Sequence, residues 1–286
     1  MIPTVTLPNG IKMPALGYGV FRMKDPLLCE EAVVQAIQCG YRLIDTAAAY
    51  ENEEAVGRAI RRCGVPREEL FVTTKLWITD TSYEGAKRGF ARSMQRLGLE
   101  YLDLYLIHQP YNDYYGAWRT LEELYAAGKV RAIGVDNFTQ DKLADLMYWN
   151  KVKPAVNLVE CNAFFQREDD RLYMQSRNIQ MQAWSPLAAG QGRLLENETL
   201  RAIAADHGKS VAQIVLRWLV QRNIVPLVKS GNPQRMQENL AVFDFSLTDA
   251  EMHRIAALDT GHTAFSPRST GPAVEDFLRA SSSYHV

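Results

Sequence analysis

Short runs of apolar and β-branched residues alternate with longer stretches of helical period along almost the whole chain. No other feature constrains the fold as strongly. The short runs fall at residues 15–19, 42–45, 70–75, 102–108, 130–135, 155–160, 179–184 and 224–228. Helical patterns lie between and after them, at 25–39, 51–62, 83–97, 114–127, 140–149, 168–177, 196–206, 211–221, 233–242 and 248–257. Runs such as Leu104-Tyr105-Leu106-Ile107 have the unbroken apolar character of strands covered on both faces, as parallel sheets require. The opening V-T-L-P-N-G-I-K-M-P reads as a hairpin turning at Asn9-Gly10. Eight strands separated by helices predict a (β/α)8 TIM barrel with an N-terminal β-hairpin. The competing doubly wound sheet lacks its dinucleotide fingerprint. Gly17-Tyr18-Gly19 runs into Val20-Phe21-Arg22 with no third glycine, and no complete Walker pattern occurs.

The 286 residues suit one such barrel, with everything after about residue 258 a C-terminal tail. Lys plus Arg number 32 and Asp plus Glu 33, a balance unlike that of a nucleic-acid binder. No apolar stretch reaches the ~18 residues of a membrane helix. The N-terminus lacks the basic and apolar regions of a signal peptide. Cys29, Cys39, Cys63 and Cys161 are scattered, without the spacing of a metal site or a disulfide framework. The expectation is a cytoplasmic protein.

Barrel chemistry sits where strands end and in the loops that follow. Asp45 ends the second barrel strand and Tyr50 follows it, Lys75 ends the third, and His108 ends the fourth. Each has an ordinary reading on its own: a helix cap, a half-buried aromatic, a solvated strand end, a core histidine. Together they fare differently, because burying Asp and Lys at neighbouring strand ends is costly unless they pair. A phenol beside an ammonium is expected to have its pKa lowered from ~10. The carboxylate would keep the lysine charged, and the imidazole would orient a carbonyl oxygen. Such a set can protonate an alkoxide formed during hydride delivery, with the hydride coming from a cofactor. A second constellation follows the last strand. Asn232 and Pro233 have the form of an N-cap and first helical residue, with Lys229 and Ser230 just before and Arg235 and Asn239 just after. A helix N-terminus with these cations is a candidate phosphate site; a plain capped helix is the alternative.

The stretch Asp45-Thr46-Ala47-Ala48-Ala49-Tyr50-Glu51-Asn52-Glu53 can be taken with Thr74-Lys75-Leu76-Trp77, His108-Gln109-Pro110, Ile133-Gly134-Val135-Asp136-Asn137-Phe138 and Trp184-Ser185-Pro186-Leu187. Together these motifs resemble the aldo-keto reductase family, from the opening hairpin to about Leu258. The resemblance implies a (β/α)8 barrel that reduces a small aldehyde or ketone to an alcohol with NADPH, and a monomer. It implies Tyr50 as general acid, Lys75 and Asp45 as its tuning partners, and His108 as orienter of the carbonyl. Asp136 and Asn137 would stand at the nicotinamide carboxamide, Trp184 would stack on the ring, and Ser185 and Leu187 would contact the pyrophosphate. Lys229, Ser230 and Arg235 would take the ribose 2′-phosphate, with Glu238 and Asn239 near the adenine. Phe21, Trp77 and Gln109 would line the substrate pocket. Four positions depart from the family pattern: Asp136 for Ser, Leu158 for Gln, Asn162 for His and Gln109 for Trp. If ionised, Asp136 would favour the cationic oxidised ring; alternatively it caps the next helix at Thr139 or Gln140. A non-catalytic nicotinamide-sensing subunit of the same fold is the other functional reading. A Schiff-base enzyme using Lys75 is disfavoured by Asp45 beside it.

Overall fold

The computed structural model describes residues 2–282 and 284. Strands β1 (Thr4–Thr6) and β2 (Lys12–Pro14) form an antiparallel hairpin. The barrel then begins with β3 (Gly17–Gly19), α1 (Pro26–Cys39), β4 (Leu43–Asp45), α2 (Glu53–Arg62), β5 (Phe71–Leu76), α3 (Tyr83–Leu97), β6 (Leu102–Ile107) and α4 (Tyr114–Ala126). It continues with β7 (Val130–Asp136), α5 (Gln140–Trp149), β8 (Val156–Glu160), α6 (Glu168–Ser176), β9 (Gln180–Trp184), α7 (Glu198–His207), α8 (Val211–Gln221) and β10 (Val225–Val228). Helices α9 (Pro233–Leu240), α10 (Asp249–Ala256) and α11 (Gly271–Ser281) follow. Strands β3 to β10 are all parallel and close into a barrel, β10 pairing with β3 through Val228 and Tyr18.

The expected strands all form, with ends displaced by a residue or two. The helix expected from residue 51 starts at Glu53, because residues 48–50 make a 3-10 turn and Glu51 takes a left-handed φ of 57°. The helix expected over 233–242 stops at Leu240. Helix α11 and the irregular turns over 188–196 were not expected.

Two apolar layers account for the architecture. Outward residues of the strands, such as Ile44, Val72, Tyr105, Ile107, Ile133 and Val135, join the helices in the larger core. Inward residues, such as Leu43, Phe71, Leu104, Leu106, Val156 and Leu158, fill the barrel. Leu7 and Met13 of the hairpin pack against this inner set and close its bottom. Gly134 faces inward because nothing larger fits: a Cβ there would lie 2.5 Å from the Val156 carbonyl oxygen and 2.8 Å from Leu106.

Side chains alternate faces along a strand. Counting by twos from the inner residues Leu43, Phe71, Leu106 and Ala132 therefore carries the inner face up to Asp45, Lys75, His108 and Asp136. The same parity from Val156 reaches Glu160. Apolar residues fill the lower barrel, and polar ones cluster at its C-terminal mouth.

Candidate active site

Lys75 is the centre of the cluster and is fully buried. Its ammonium has three N–H donors. They meet Asp45 Oδ1 at 2.6 Å, the Thr46 carbonyl at 2.9 Å and the Tyr50 hydroxyl oxygen at 3.3 Å. Every donor is used, so the ammonium is fixed in place. Tyr50 accepts from Lys75, which leaves its own O–H available to donate. Asn52 steadies the loop beneath, accepting from the Thr46 hydroxyl at 2.7 Å and donating to the Val20 carbonyl at 3.0 Å. The His108 ring lies 5.7 Å from the Tyr50 ring and 4.9 Å from Trp77. Phe21 leans on Tyr50 at 5.0 Å from the open side.

Burial alone would pull the Lys75 pKa down, but Asp45, Tyr50 and Asp136 outweigh it and the ammonium is held above its usual value. An amine locked in its charged form does not attack a carbonyl, so the cluster gives the Schiff-base reading no support. Burial pushes the Asp45 carboxyl up against the pull of Lys75. Even so, its Oδ2 has no partner. A proton there would find no acceptor, and a carboxylate facing the ammonium satisfies the geometry.

Tyr50 corrects one expectation. Its pKa is raised, not lowered, because burial of the phenol outweighs Lys75. The phenol therefore keeps its proton throughout the neutral range, as a proton donor must. Burial, with Lys75 and Arg268, pushes His108 well below the ordinary histidine value, so its ring is neutral. A neutral imidazole donates from one nitrogen and accepts at the other.

Asp136 corrects the capping role given as its alternative. It is 2% exposed and its Oδ2 lies 3.7 Å from His108 Nε2, beyond hydrogen-bond distance. Thr139 is the N-cap of α5, and no side chain caps it. Asp136 therefore does not serve as the cap. Burial raises its pKa above the ordinary carboxylate value, against the pull of Lys75. This has a thermodynamic consequence. Above the unfolded value near 3.8 the unfolded chain loses this proton while the folded chain retains it, so rising pH favours unfolding. Asp136→Asn should therefore stabilise the protein at pH 7. The gain should shrink to nothing near pH 4. Urea unfolding across this range would read it, and a difference independent of pH would contradict the raised Asp136 pKa.

The expected ring-stacking and carboxamide residues also meet. Trp184 Nε1 donates to Asn137 Oδ1 at 2.9 Å, and Asn137 Nδ2 donates to the His108 carbonyl at 3.3 Å. Asn137 adopts a left-handed φ of 65°, which Asn tolerates better than most residues. Ser185 has a φ of 49°, and both it and Leu187 are half-buried just beyond β9. Leu158 points into the barrel interior. Asn162 accepts from the backbone N–H groups of Phe164 and Phe165, as a turn-former does.

The candidate phosphate end lies at the same mouth, since β10 pairs with β3 and β3 with β4. Asn232 Oδ1 caps α9, accepting from Gln234 N at 2.9 Å and Arg235 N at 3.2 Å. Lys229 is exposed and donates to the Phe21 carbonyl at 3.1 Å. The Ser230 carbonyl accepts from the Tyr18 hydroxyl at 2.5 Å. Arg235 is exposed and Glu238 half-buried. Asn239 turns inward instead and is 6% exposed.

The tail roofs the mouth. Thr263 Oγ1 and Ala264 N both bond the buried carboxyl of Glu160, the latter at 3.0 Å. Phe265 lies 5.2 Å from the Trp184 ring. In α11, Phe277 approaches Trp77 and Tyr111, and the Ser281 carbonyl accepts from Trp77 Nε1 at 3.2 Å. Trp77 and Gln109, expected in the pocket, are thus beneath this roof and nearly fully buried. Glu160 and Arg268 were not anticipated. Strand parity would have found Glu160, and the spacing of Val274, Phe277 and Leu278 would have shown a helical face.

The model of the Aldo/keto reductase family matches residues 15–260. The chain belongs to the aldo/keto reductase family. Glyoxal reductase of Bacillus subtilis (strain 168) is 48% identical over 257 residues, covering 90% of this chain and 92% of that protein. An aldo-keto reductase enzyme from a Medee basin deep-sea metagenome library superposes with a TM-score of 0.91 at 44% identity, covering 93% of this chain and 98% of that one. A Bombyx mori aldo-keto reductase in complex with NADP gives a TM-score of 0.88 at 34% identity, over 93% and 95%. The barrel is thus shared with aldo-keto reductases. Among the described residues no helix is long and apolar enough to cross a membrane.

Proposed function

We propose that this aldo-keto reductase reduces an aldehyde or ketone to an alcohol with NADPH, Tyr50 donating the proton. The observation that carries this reading is the saturated Lys75 ammonium, which holds both Asp45 and the Tyr50 oxygen and leaves the Tyr50 O–H as the free donor at the mouth. The neutral His108 ring beside it orients the carbonyl oxygen by donating a hydrogen bond. Trp184 and Asn137, already joined, offer a flat ring and an amide suited to a nicotinamide carboxamide. Asp136, next to Asn137, can accept from that amide. When bound, NADPH supplies the hydride. The Bombyx mori relative solved with NADP supports this choice of cofactor. The reductase name of the Bacillus subtilis relative supports the direction of reaction. We assign the substrate to the class of small carbonyl compounds. Steady-state turnover with a panel of aldehydes, ketones and keto-sugars tests the reading, with the alcohol product identified. Formation of one alcohol per NADPH consumed is the expected result, and NADPH binding without turnover would favour a nicotinamide-sensing role.

Preference for the 2′-phosphate rests on Lys229 and Arg235, two exposed cations flanking the capped start of α9. A charge-assisted bond to phosphate contributes about 1.5 kcal/mol or less where solvent reaches it. Arg235→Ala should therefore weaken NADPH about tenfold and barely move NADH, as read by fluorescence titration of both. Equal losses would remove Arg235 from phosphate recognition.

A further inference from the structure

Tyr18 is a fully buried phenol that the catalytic cluster does not use. It lies on β3, next to Gly17. A Cβ on Gly17 would meet Leu43 and Leu227 of the inner layer, so Tyr18 points the other way, into the larger core. β3 pairs with β10, and Tyr18 stands opposite Val228, the last residue of that strand. From there its hydroxyl donates to the carbonyl of Ser230, two residues further on, at 2.5 Å. Tyr41 acts in the same way on α9. It is also fully buried, its ring lies 5.5 Å from that of Tyr18, and its hydroxyl donates to the Met236 carbonyl at 3.2 Å. Burial raises the pKa of both phenols, so both remain protonated donors.

The segment that Tyr18 holds is the candidate phosphate end. From Lys229 to Arg235 every residue is exposed except Ser230, which is half-buried. Fixing such a loop costs conformational entropy. Ser230 Oγ accepts from Asn232 N at 3.0 Å, and Asn232 Oδ1 accepts from Gln234 N and Arg235 N. These bonds join the segment to itself and would travel with it. Lys229 reaches the Phe21 carbonyl through a long, flexible side chain. The Tyr18 bond instead ties the loop backbone to the barrel wall. A phenylalanine at this position would fill the same space, so the hydroxyl contributes the placement of the loop rather than its packing.

We propose that Tyr18 is a positioning residue for the 2′-phosphate site, its hydroxyl fixing the Ser230 carbonyl so that Lys229, Ser230 and Arg235 are in place before NADPH arrives. The inference rests on the NADPH reading and deepens it. A loop already held in one conformation spares the ordering cost at the moment of binding. NADH has no 2′-phosphate and gains little from that order. The Tyr18 hydroxyl therefore widens the gap between the two cofactors, without touching either.

Fluorescence titration of NADPH and NADH into wild type, Tyr18→Phe and Tyr41→Phe tests this without turnover. Tyr18→Phe should weaken NADPH about fivefold, as the loss of one hydrogen bond implies, and NADH by less than about twofold. In steady-state reduction the loss should fall on KM for NADPH rather than on kcat. Tyr41→Phe removes the same group from beneath the body of α9 and should keep the wild-type preference. Equal losses of NADPH and NADH in Tyr18→Phe would overturn the proposal, as would a preference unchanged from wild type; either makes Tyr18 a residue of the core alone. A preference reduced as much in Tyr41→Phe would also overturn it, since the cause would then be a general loosening of α9. If the wild type itself does not prefer NADPH, the cofactor reading fails and this inference fails with it. Arg235→Ala separates the two failures, because it probes the phosphate site through a side chain that Tyr18 does not hold.

Discussion

Replacing Tyr50 with Phe is expected to lower the rate of carbonyl reduction by about 10²–10⁴-fold while NADPH still binds. The variant removes one oxygen and keeps the ring that packs against Phe21 and His108. Its effect should fall on proton delivery, because the candidate phosphate end is built from other elements, β10 and α9. The pH dependence should follow from the raised Tyr50 pKa. The phenol stays protonated through neutrality, so reduction should be level there and weaken only in the alkaline range. Rates and NADPH titrations of wild type and Tyr50→Phe give both readouts. A variant retaining more than a tenth of the wild-type rate would remove Tyr50 from the acid role.

Lys75→Met is expected to lose activity by about 10²-fold or more and to destabilise the fold as well. Methionine matches the lysine stem in length but leaves the buried Asp45 carboxylate without its cation. Breaking a buried pair in this way typically costs about 3–5 kcal/mol. It also frees the Thr46 carbonyl and the Tyr50 oxygen that Lys75 now holds. Adding Asp45→Asn removes the stranded charge. The double variant should therefore recover much of the stability in urea unfolding and none of the activity. A Lys75→Met protein destabilised by less than about 1 kcal/mol would contradict the ion pair as the core of the mouth. Recovery of activity in the double variant would contradict the assignment of Lys75 as the holder of the Tyr50 oxygen.

The barrel was legible because its strands are short, uniform and separated by helices with local caps. Asp25 shows this at α1: its carboxyl accepts from Leu27 N and Leu28 N, Pro26 follows it, and Gly40 ends the helix at a φ of 117°. Asp45, Lys75 and His108 were legible as a cluster for the same reason, since position on a strand fixes both height and face. The tail's helical face was legible in principle, but its contacts were not. Its decisive contacts join residues far apart in the chain, Arg268 with Gln109 and Ser281 with Trp77, and no local period announces them. Protonation was also beyond reach. Local chemistry predicted a lowered Tyr50 pKa and left the charge of Asp136 open, but burial, which depends on the whole fold, raises both pKa values. The burial of Asn239 was hidden for a similar reason: helical spacing placed it with Arg235, yet the fold leaves it only 6% exposed.

A single-turnover experiment, with enzyme in excess over NADPH and an aldehyde added, tests the catalytic role of the mouth most directly. Wild-type protein should consume the reduced nicotinamide in one phase and yield an equal amount of alcohol, and Tyr50→Phe should bind the same NADPH and leave it reduced. Nicotinamide that stays reduced in the wild type across aldehydes and ketones, with NADPH bound, would contradict a catalytic mouth and leave a protein that only senses the cofactor.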